Sequence, residues 1–280
     1  MLMITAVLIV LGLCLGSFVN ALVWRLHEQS KSPSKQSKKI AKRDLSIVSG
    51  RSICTDCGHI LAWQDLIPLV SWVSLGGKCR YCRKPISWQY PAVELATALL
   101  FVGSYHYWPH GFDAQGNSLF IFWLIFLVGF MAMTVYDLRW YLLPDKLVYP
   151  LLYLATAQVL MLAVIFDGGL AAIEEALLGL MFAGGTFYLL YQVSKGKWIG
   201  GGDVKLGFVL GLIVGGPMAA LLMLFIASCM GTLVAIPLLL AGKAKRSTRL
   251  PFGPFLIGAT IVVYLFGASI ITWYKRQIGV

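Results

Sequence analysis

Charge is what this sequence has least of. Asp, Glu, Lys and Arg make up 12% of its 280 residues, roughly half the share expected of a soluble domain. Acids are the scarcer of the two signs, with 12 Asp and Glu against 23 Lys and Arg. An ordinary water-soluble globule is thereby excluded. Two further features are missing. The opening apolar stretch, Met1 to Trp24, has no basic segment ahead of it and no clear small-residue cleavage site behind it, so it reads as a retained helix rather than a secretory signal. No convincing internal repeat is present, which counts against the inverted-repeat architecture common among solute carriers.

What is abundant is apolar sequence, at 59% of residues. Runs of roughly 20 apolar residues mark spanning helices, and they fall near 2–25, 91–108, 118–137, 147–166, 169–193, 204–215, 218–241 and 252–274. The sixth is short alone. Residues 206–240 are broken only at Gly215-Gly216-Pro217, so two tight spans fit, and so does one span with a re-entrant piece. Charge placement favours two. All of the 23 basic residues except Arg25, Lys275 and Arg276 lie in segments 27–90, 138–146, 194–205 and 242–251, while 109–117, 167–168 and 215–217 hold none. With eight spans these two groups of segments alternate sides, which is the positive-inside pattern. It puts the basic segments in the cytosol and both termini outside it. The expected fold is an all-α polytopic membrane protein of about eight transmembrane helices, with a small cytosolic zinc-binding insertion between the first two. The net charge of +11 then reflects topology, so lipid is an expected partner and nucleic acid is not.

Three regions are expected: residues 1–26 as the first transmembrane helix, 27–90 as a cytosolic linker and cysteine domain, and 91–280 as the remaining transmembrane body. Residues 28–50 are rich in Lys and Ser without an apolar period, which suits a linker drawn to anionic lipid. Residues 51–90 carry Cys54-Thr55-Asp56-Cys57 and Cys79-Arg80-Tyr81-Cys82, two C-x-x-C pairs with 21 residues between them. That is close to the spacing of tetrahedral four-sulfur zinc sites. Lys78, Arg80, Arg83 and Lys84 are placed to offset the negative charge of four thiolates around a dication. Two disulfides are the alternative, disfavoured in a reducing cytosol. Four sulfurs leave no open position, so the zinc is read as structural. Cys14 and Cys229 lie in apolar spans and read as small core residues.

Four carboxylates stand out by depth. Asp137 ends the third span and Asp203 begins the sixth, both at ends that the charge pattern makes cytosolic. An ionisable side chain at membrane depth is a functional candidate by default, and two on different helices at one level can form a pair. Two carboxyls about 3 Å apart cannot both ionise and so share a proton. One can then take a proton from water while the other hydrogen-bonds a scissile carbonyl. Gly200, Gly201 and Gly202, ahead of Asp203, leave room for a substrate backbone to approach in extended form. The structural alternatives are an N-cap for Asp203 and ion pairs with Arg139 or Lys205. A cap is a weak explanation for Asp137, which opposes the dipole at a helix C-terminus. Asp145, after Pro144, reads as the start of a helix, with a supporting role as the alternative. Glu94, after Pro91, fits either a first-turn carboxylate or a supporting group.

These residues together resemble the type IV prepilin peptidase family, the bifunctional leader peptidase and N-methyltransferase of the G-x-G-D class. The resemblance runs over nearly the whole chain. It rests on Leu15-Gly16-Ser17-Phe18-Val19-Asn20 with Arg25-Leu26, the two C-x-x-C pairs around Ser71-Trp72, and Tyr90-Pro91-Ala92-Val93-Glu94-Leu95. It continues through Asp137-Leu138-Arg139 with Leu143-Pro144-Asp145, Gly200-Gly201-Gly202-Asp203-Val204-Lys205-Leu206, and Pro251-Phe252-Gly253-Pro254-Phe255. His27 and Thr55 stand where the family usually has proline. The resemblance implies that Asp137 and Asp203 are the catalytic pair of an aspartic endopeptidase in the bacterial inner membrane. It also implies cleavage of the basic leader of type IV prepilins or pseudopilins on the cytosolic side, followed by methylation of the new N-terminus with S-adenosylmethionine. Residues 27–90 hold no recognisable Gly-rich nucleotide loop, and no residue is assigned to that cofactor. Asp44, Asp56, Asp65 and Glu94 are candidates for meeting a basic leader. The alternative from another class is a proton-coupled small-solute transporter with a cytosolic zinc module, using the same two aspartates. The cysteines argue against a relative that cleaves archaeal preflagellins, a group that lacks the tetracysteine insertion.

Overall fold

Two glycines one helical turn apart govern the packing of the first helices. In the computed structural model, which describes residues 1–31, 45–47, 49–242, 250–277 and 279, helix α1 (Leu2–Ser30) lies against α3 (Gln89–His106). A β-carbon added at Gly12 would meet Ala98 Cα at 2.5 Å, and one at Gly16 would meet Glu94 Cα at 2.6 Å. The backbones approach this closely because both positions lack a side chain. Buried Asn20 adds a polar tie, donating to the Tyr90 carbonyl at 3.2 Å and accepting from Gln89 Nε2 at 3.2 Å. Helix α1 continues past the expected span to Ser30, so Arg25 is a buried helical residue whose guanidinium donates to the Ile47 and Gly50 carbonyls. Between α1 and α3 stand a short 3-10 turn, Trp63–Leu66, and helix α2 (Val70–Ser74). Residues 32–44, which include most of the basic linker and Asp44, lie outside the described residues, as does the basic cluster at 243–249.

The remaining helices are α4 (Ala114–Trp140), α5 (Asp145–Val164), α6 (Gly169–Ser194), α7 (Gly201–Val214), α8 (Pro217–Leu240) and α9 (Gly253–Gln277). By contacts the chain forms two compact units, residues 1–106 with 127–135 and residues 107–126 with 136–280. In the second unit α6 and α7 approach through Gly179 and Gly211, where a β-carbon at Gly211 would stand 2.5 Å from the Gly179 carbonyl oxygen. Trp123 stacks on Tyr264 at 4.1 Å between ring centroids, and Thr260 of α9 donates to the Met223 sulfur of α8 at 3.1 Å. Strands are absent among the described residues, with only isolated bridges at Ile53–Ile60 and Lys78–Pro85.

The protein is thus an all-α polytopic membrane protein. Among the described residues six helices, α1, α4, α5, α6, α8 and α9, are long and apolar enough to cross a membrane. The other two expected spans form helices that fall short of this. α3 carries Glu94 and ends on His106, and α7 has 14 residues, a rise of about 21 Å against a hydrocarbon core of roughly 30 Å. The 206–240 stretch is divided into two helices. Gly215 and Gly216 both take φ of 62°, which suits glycine, and Pro217 opens α8 at the position proline favours. One reading is corrected outright. Cys14 and Cys229 are exposed, not core, because the apolar surface of such a helix is a place where a thiol rests as readily as a small hydrophobe.

Candidate active site

Helix starts hold both depth-marked aspartates. Asp137 sits in the last turn of α4, 5% exposed, where its own helix disfavours a negative charge. Its carboxylate instead receives the Gly253 N–H at 3.1 Å, at the first residue of α9. The first N–H groups of any helix lack partners within it, so the start of α9 supplies a donor and a favourable dipole to a buried acid. Gly253 has to be glycine for this contact, since a β-carbon there would stand 2.7 Å from Asp137 Oδ2.

Asp203 is the third residue of α7, and its N-cap is Gly200, so the alternative of Asp203 as the helix N-cap does not form. With three glycines leading in, the backbone starts the helix without a capping side chain, and the carboxylate in the first turn accepts the Gly200 N–H. Asp203 lies beside the Gly200 amide and within electrostatic reach of Asp137. Leu143, in the short connection between α4 and α5, joins the two halves. A β-carbon at Gly202 would meet Leu143 Cβ at 3.0 Å, and one at Gly253 would meet Leu143 Cδ1 at 3.7 Å. Of the glycines before Asp203, Gly200 is extended, whereas Gly201 and Gly202 are already helical and point free amides from the first turn.

Neither of the alternative ion pairs forms at these acids. Arg139 lies over the Trp140 ring, 5.7 Å from its centroid. Lys205 binds Asp145, with Nζ 2.6 Å from Oδ1. Asp145 does begin α5, with Pro144 as N-cap. Glu94 is not in the first turn of α3, which starts five residues earlier. It is buried in the first unit and accepts the Leu69 N–H at 2.8 Å, holding Leu69 at φ 60°, ψ −50°, a strained conformation for a residue other than glycine.

The four cysteines converge. The Sγ atoms of Cys54, Cys57, Cys79 and Cys82 lie within 4.8 Å of one another, a set that could hold a metal ion. Each C-x-x-C is one turn of the same design. The Cys54 N–H donates to the His59 carbonyl at 2.9 Å and Gly58 N–H returns to Cys54 O at 2.9 Å. In the second turn Cys79 N–H donates to Lys84 O at 2.9 Å and Arg83 N–H to Cys79 O at 3.0 Å. The residue four after each first cysteine has positive φ, 75° at Gly58 and 60° at Arg83. The expected role of the nearby cations holds for Lys84, which lies within electrostatic reach of Cys82 and Cys54, and both it and Arg80 also pair with aspartates. Arg80 donates to Asp65 at 2.7 Å and Lys84 to Asp56 at 2.9 Å. Burial pushes the Asp65 carboxyl up, but hydrogen bonds from Arg80, the Ala62 amide and Tyr81 outweigh it and hold the group below the ordinary carboxylate range.

Sequence reasoning missed Gly253 and Leu143 as neighbours of the acids, although Pro251-Phe252-Gly253-Pro254-Phe255 was the signal. Two comparisons match the layout. The bacterial peptidase A24 N-terminal domain matches residues 10–108, and the type IV leader peptidase family matches residues 121–236. The chain is 36% identical to the prepilin leader peptidase/N-methyltransferase of Pseudomonas aeruginosa, over 97% of its length and 93% of the relative. The chain belongs to the type IV leader peptidase family. Proteins of the same name from Xanthomonas campestris pv. campestris and Aeromonas hydrophila are 35% and 33% identical, covering 96% and 94% of the chain and 93% and 91% of theirs. No solved structure matches. In this chain the first match spans the cysteine cluster and Glu94, and the second spans both aspartates. Gly253, which holds Asp137, falls beyond it.

Proposed function

We propose that the chain is an aspartic endopeptidase that removes the basic leader of type IV prepilins or pseudopilins with Asp137 and Asp203. The observation that carries this reading is a pair of carboxylates from two helices, α4 and α7, held within electrostatic reach of each other. The names of relatives that match the chain over nearly its full length support the substrate. In the cleavage step one carboxylate takes a proton from water as the water oxygen bonds to the scissile carbonyl carbon. The protonated partner donates to the carbonyl oxygen, and the peptide C–N bond breaks as its nitrogen takes up a proton. The α9 start fixes Asp137 during these transfers, and the extended Gly200 is the glycine that leaves a substrate backbone room beside Asp203.

With α3 and α7 crossing as well, the distribution of basic residues supports a site at the cytosolic face of the bacterial inner membrane, with both termini outside the cytosol. The solute-transporter reading has no such family behind it. The four cysteines fit zinc, because two identical turns bring four sulfurs, a closed tetrahedral donor set, to one point. Cys54, Cys57, Cys79 and Cys82 would hold that ion, and its contribution is to fold residues 51–88, not to meet the substrate. Methyl transfer from S-adenosylmethionine to the new N-terminus is proposed from the relatives' names. It is tested by incubating the purified chain with a prepilin and methyl-labelled S-adenosylmethionine. Label on the shortened pilin is expected, and complete cleavage with no label would remove the methyltransferase half.

Gly253→Val is expected to cut cleavage about a hundredfold, because the side chain displaces a reacting carboxylate by roughly an ångström. Initial rates on a purified prepilin check this. Wild-type rates in that variant would detach Gly253 from the site.

A further inference from the structure

Asp145 combines openness with nearness to the carboxylate pair. Its side chain is 53% exposed, against 4% for Asp65 and 5% for Glu28. Two short links tie it to the site. Asp145 follows Leu143, which packs against both Gly202 and Gly253, and its partner Lys205 follows Asp203 by two residues on α7. Among the described residues, the other acids named as candidates for a basic leader sit in the cysteine module or are buried. Asp56 pairs with Lys84, Asp65 with Arg80 and Tyr81, and Glu94 is buried on the Leu69 amide.

The surroundings of Asp145 are those of a cation seat. It is the first residue of α5, where the helix dipole favours an anion. One turn on, the exposed Tyr149 presents its ring, and the Lys205 ammonium lies 5.5 Å from that ring's centroid while bonding Asp145 at 2.6 Å. A carboxylate and an aromatic face together bind a cation well. Exposed ion pairs hold their partners weakly, so an arriving cation can displace Lys205 at little cost.

We infer that Asp145, with the Tyr149 ring, docks a cationic side chain of the polypeptide substrate, and that Lys205 is a placeholder which the substrate displaces. The inference rests on the peptidase reading above. It explains how a chain of net charge +11 can take a basic substrate at a face rich in Lys and Arg. One acid beside the chemistry is freed by exchange rather than left open to every cation.

The test is the kinetics of prepilin cleavage by the full chain in detergent. Asp145→Asn is expected to raise KM roughly fivefold, the scale of one exposed charge pair, with the loss falling on KM rather than kcat, and Asp145→Glu is expected to restore it. On a substrate whose leader Lys and Arg are replaced by Gln, the difference between Asp145→Asn and wild type is expected to vanish. Lys205→Met is expected to lower KM, because it empties the seat. If Asp145 serves only to hold Lys205, both Asp145→Asn and Lys205→Met impair cleavage alike, on basic and neutral leaders equally, and the inference is overturned. A wild-type chain that cuts neither substrate counts instead against the peptidase reading and takes this inference with it.

Discussion

Asp137→Asn is expected to abolish prepilin cleavage, and Asp203→Asn to do the same. Asparagine keeps the shape of the side chain but can neither take the proton of the attacking water nor return one to the leaving nitrogen. General acid–base catalysis by one group is worth about 10² to 10⁴ in rate, so either variant falls below detection in an ordinary gel assay. The two act as one proton-sharing unit, and the double variant is expected to be no worse than either single one. The fold survives the exchange. An asparagine in place of Asp137 retains an oxygen for the Gly253 N–H, which bonds the native carboxylate at 3.1 Å, and position 203 lies in a first turn capped by Gly200. Insertion and zinc content are therefore expected to stay at wild-type values, which separates a chemical loss from misfolding. Substantial cleavage by either variant would take that residue out of the pair.

Removing zinc is expected to unfold residues 51–88 while leaving cleavage less affected than the aspartate variants do. Within this stretch Cys79 is the one buried apolar side chain, so no hydrophobic core holds it together. What remains are the paired turns, the Asp65 cluster, the Trp72 indole N–H on the Ile86 carbonyl at 3.2 Å and the Glu94 tether. A structural zinc contributes about 10 to 16 kcal/mol of binding free energy to such a module, more than these contacts supply. Cys54→Ser removes one of four ligands and is expected to lower zinc from one per chain and open residues 51–88 to limited proteolysis. Methylation is expected to suffer more than cleavage, because both aspartates and Gly253 belong to the other compact unit. Less than one zinc in the wild-type chain, or cysteines found oxidised in native membranes, would overturn the metal assignment.

Much of the fold was legible because a membrane imposes a coarse rule. Apolar runs of helical length stand out against loops, and the helices found begin and end close to those runs. Helix ends were less legible. α1 runs on to Ser30 because Arg25 finds the Ile47 and Gly50 carbonyls, a tertiary contact with no local pattern. The cysteine cluster was readable from spacing alone, since each C-x-x-C is a local turn. The carboxylate pair was readable as two acids at one depth, but not its support. The donor to Asp137 comes from 116 residues away, and a glycine before a proline signals a helix start without naming what the free N–H will meet. Charge pairing was the poorest guide. Lys205 is two residues from Asp203, yet it reaches Asp145, 60 positions distant, because residues two apart on a helix face different ways.

The central claim is that Asp137 and Asp203 together cut a prepilin. The most direct measurement is the mass of the pilin N-terminus after coexpression with this chain in cells lacking their own leader peptidase. The account predicts a pilin shortened by its whole leader and carrying one added methyl group with the wild-type chain, and full-length prepilin with Asp137→Asn. Full-length prepilin with the wild-type chain, or a shortened one with Asp137→Asn, would contradict it.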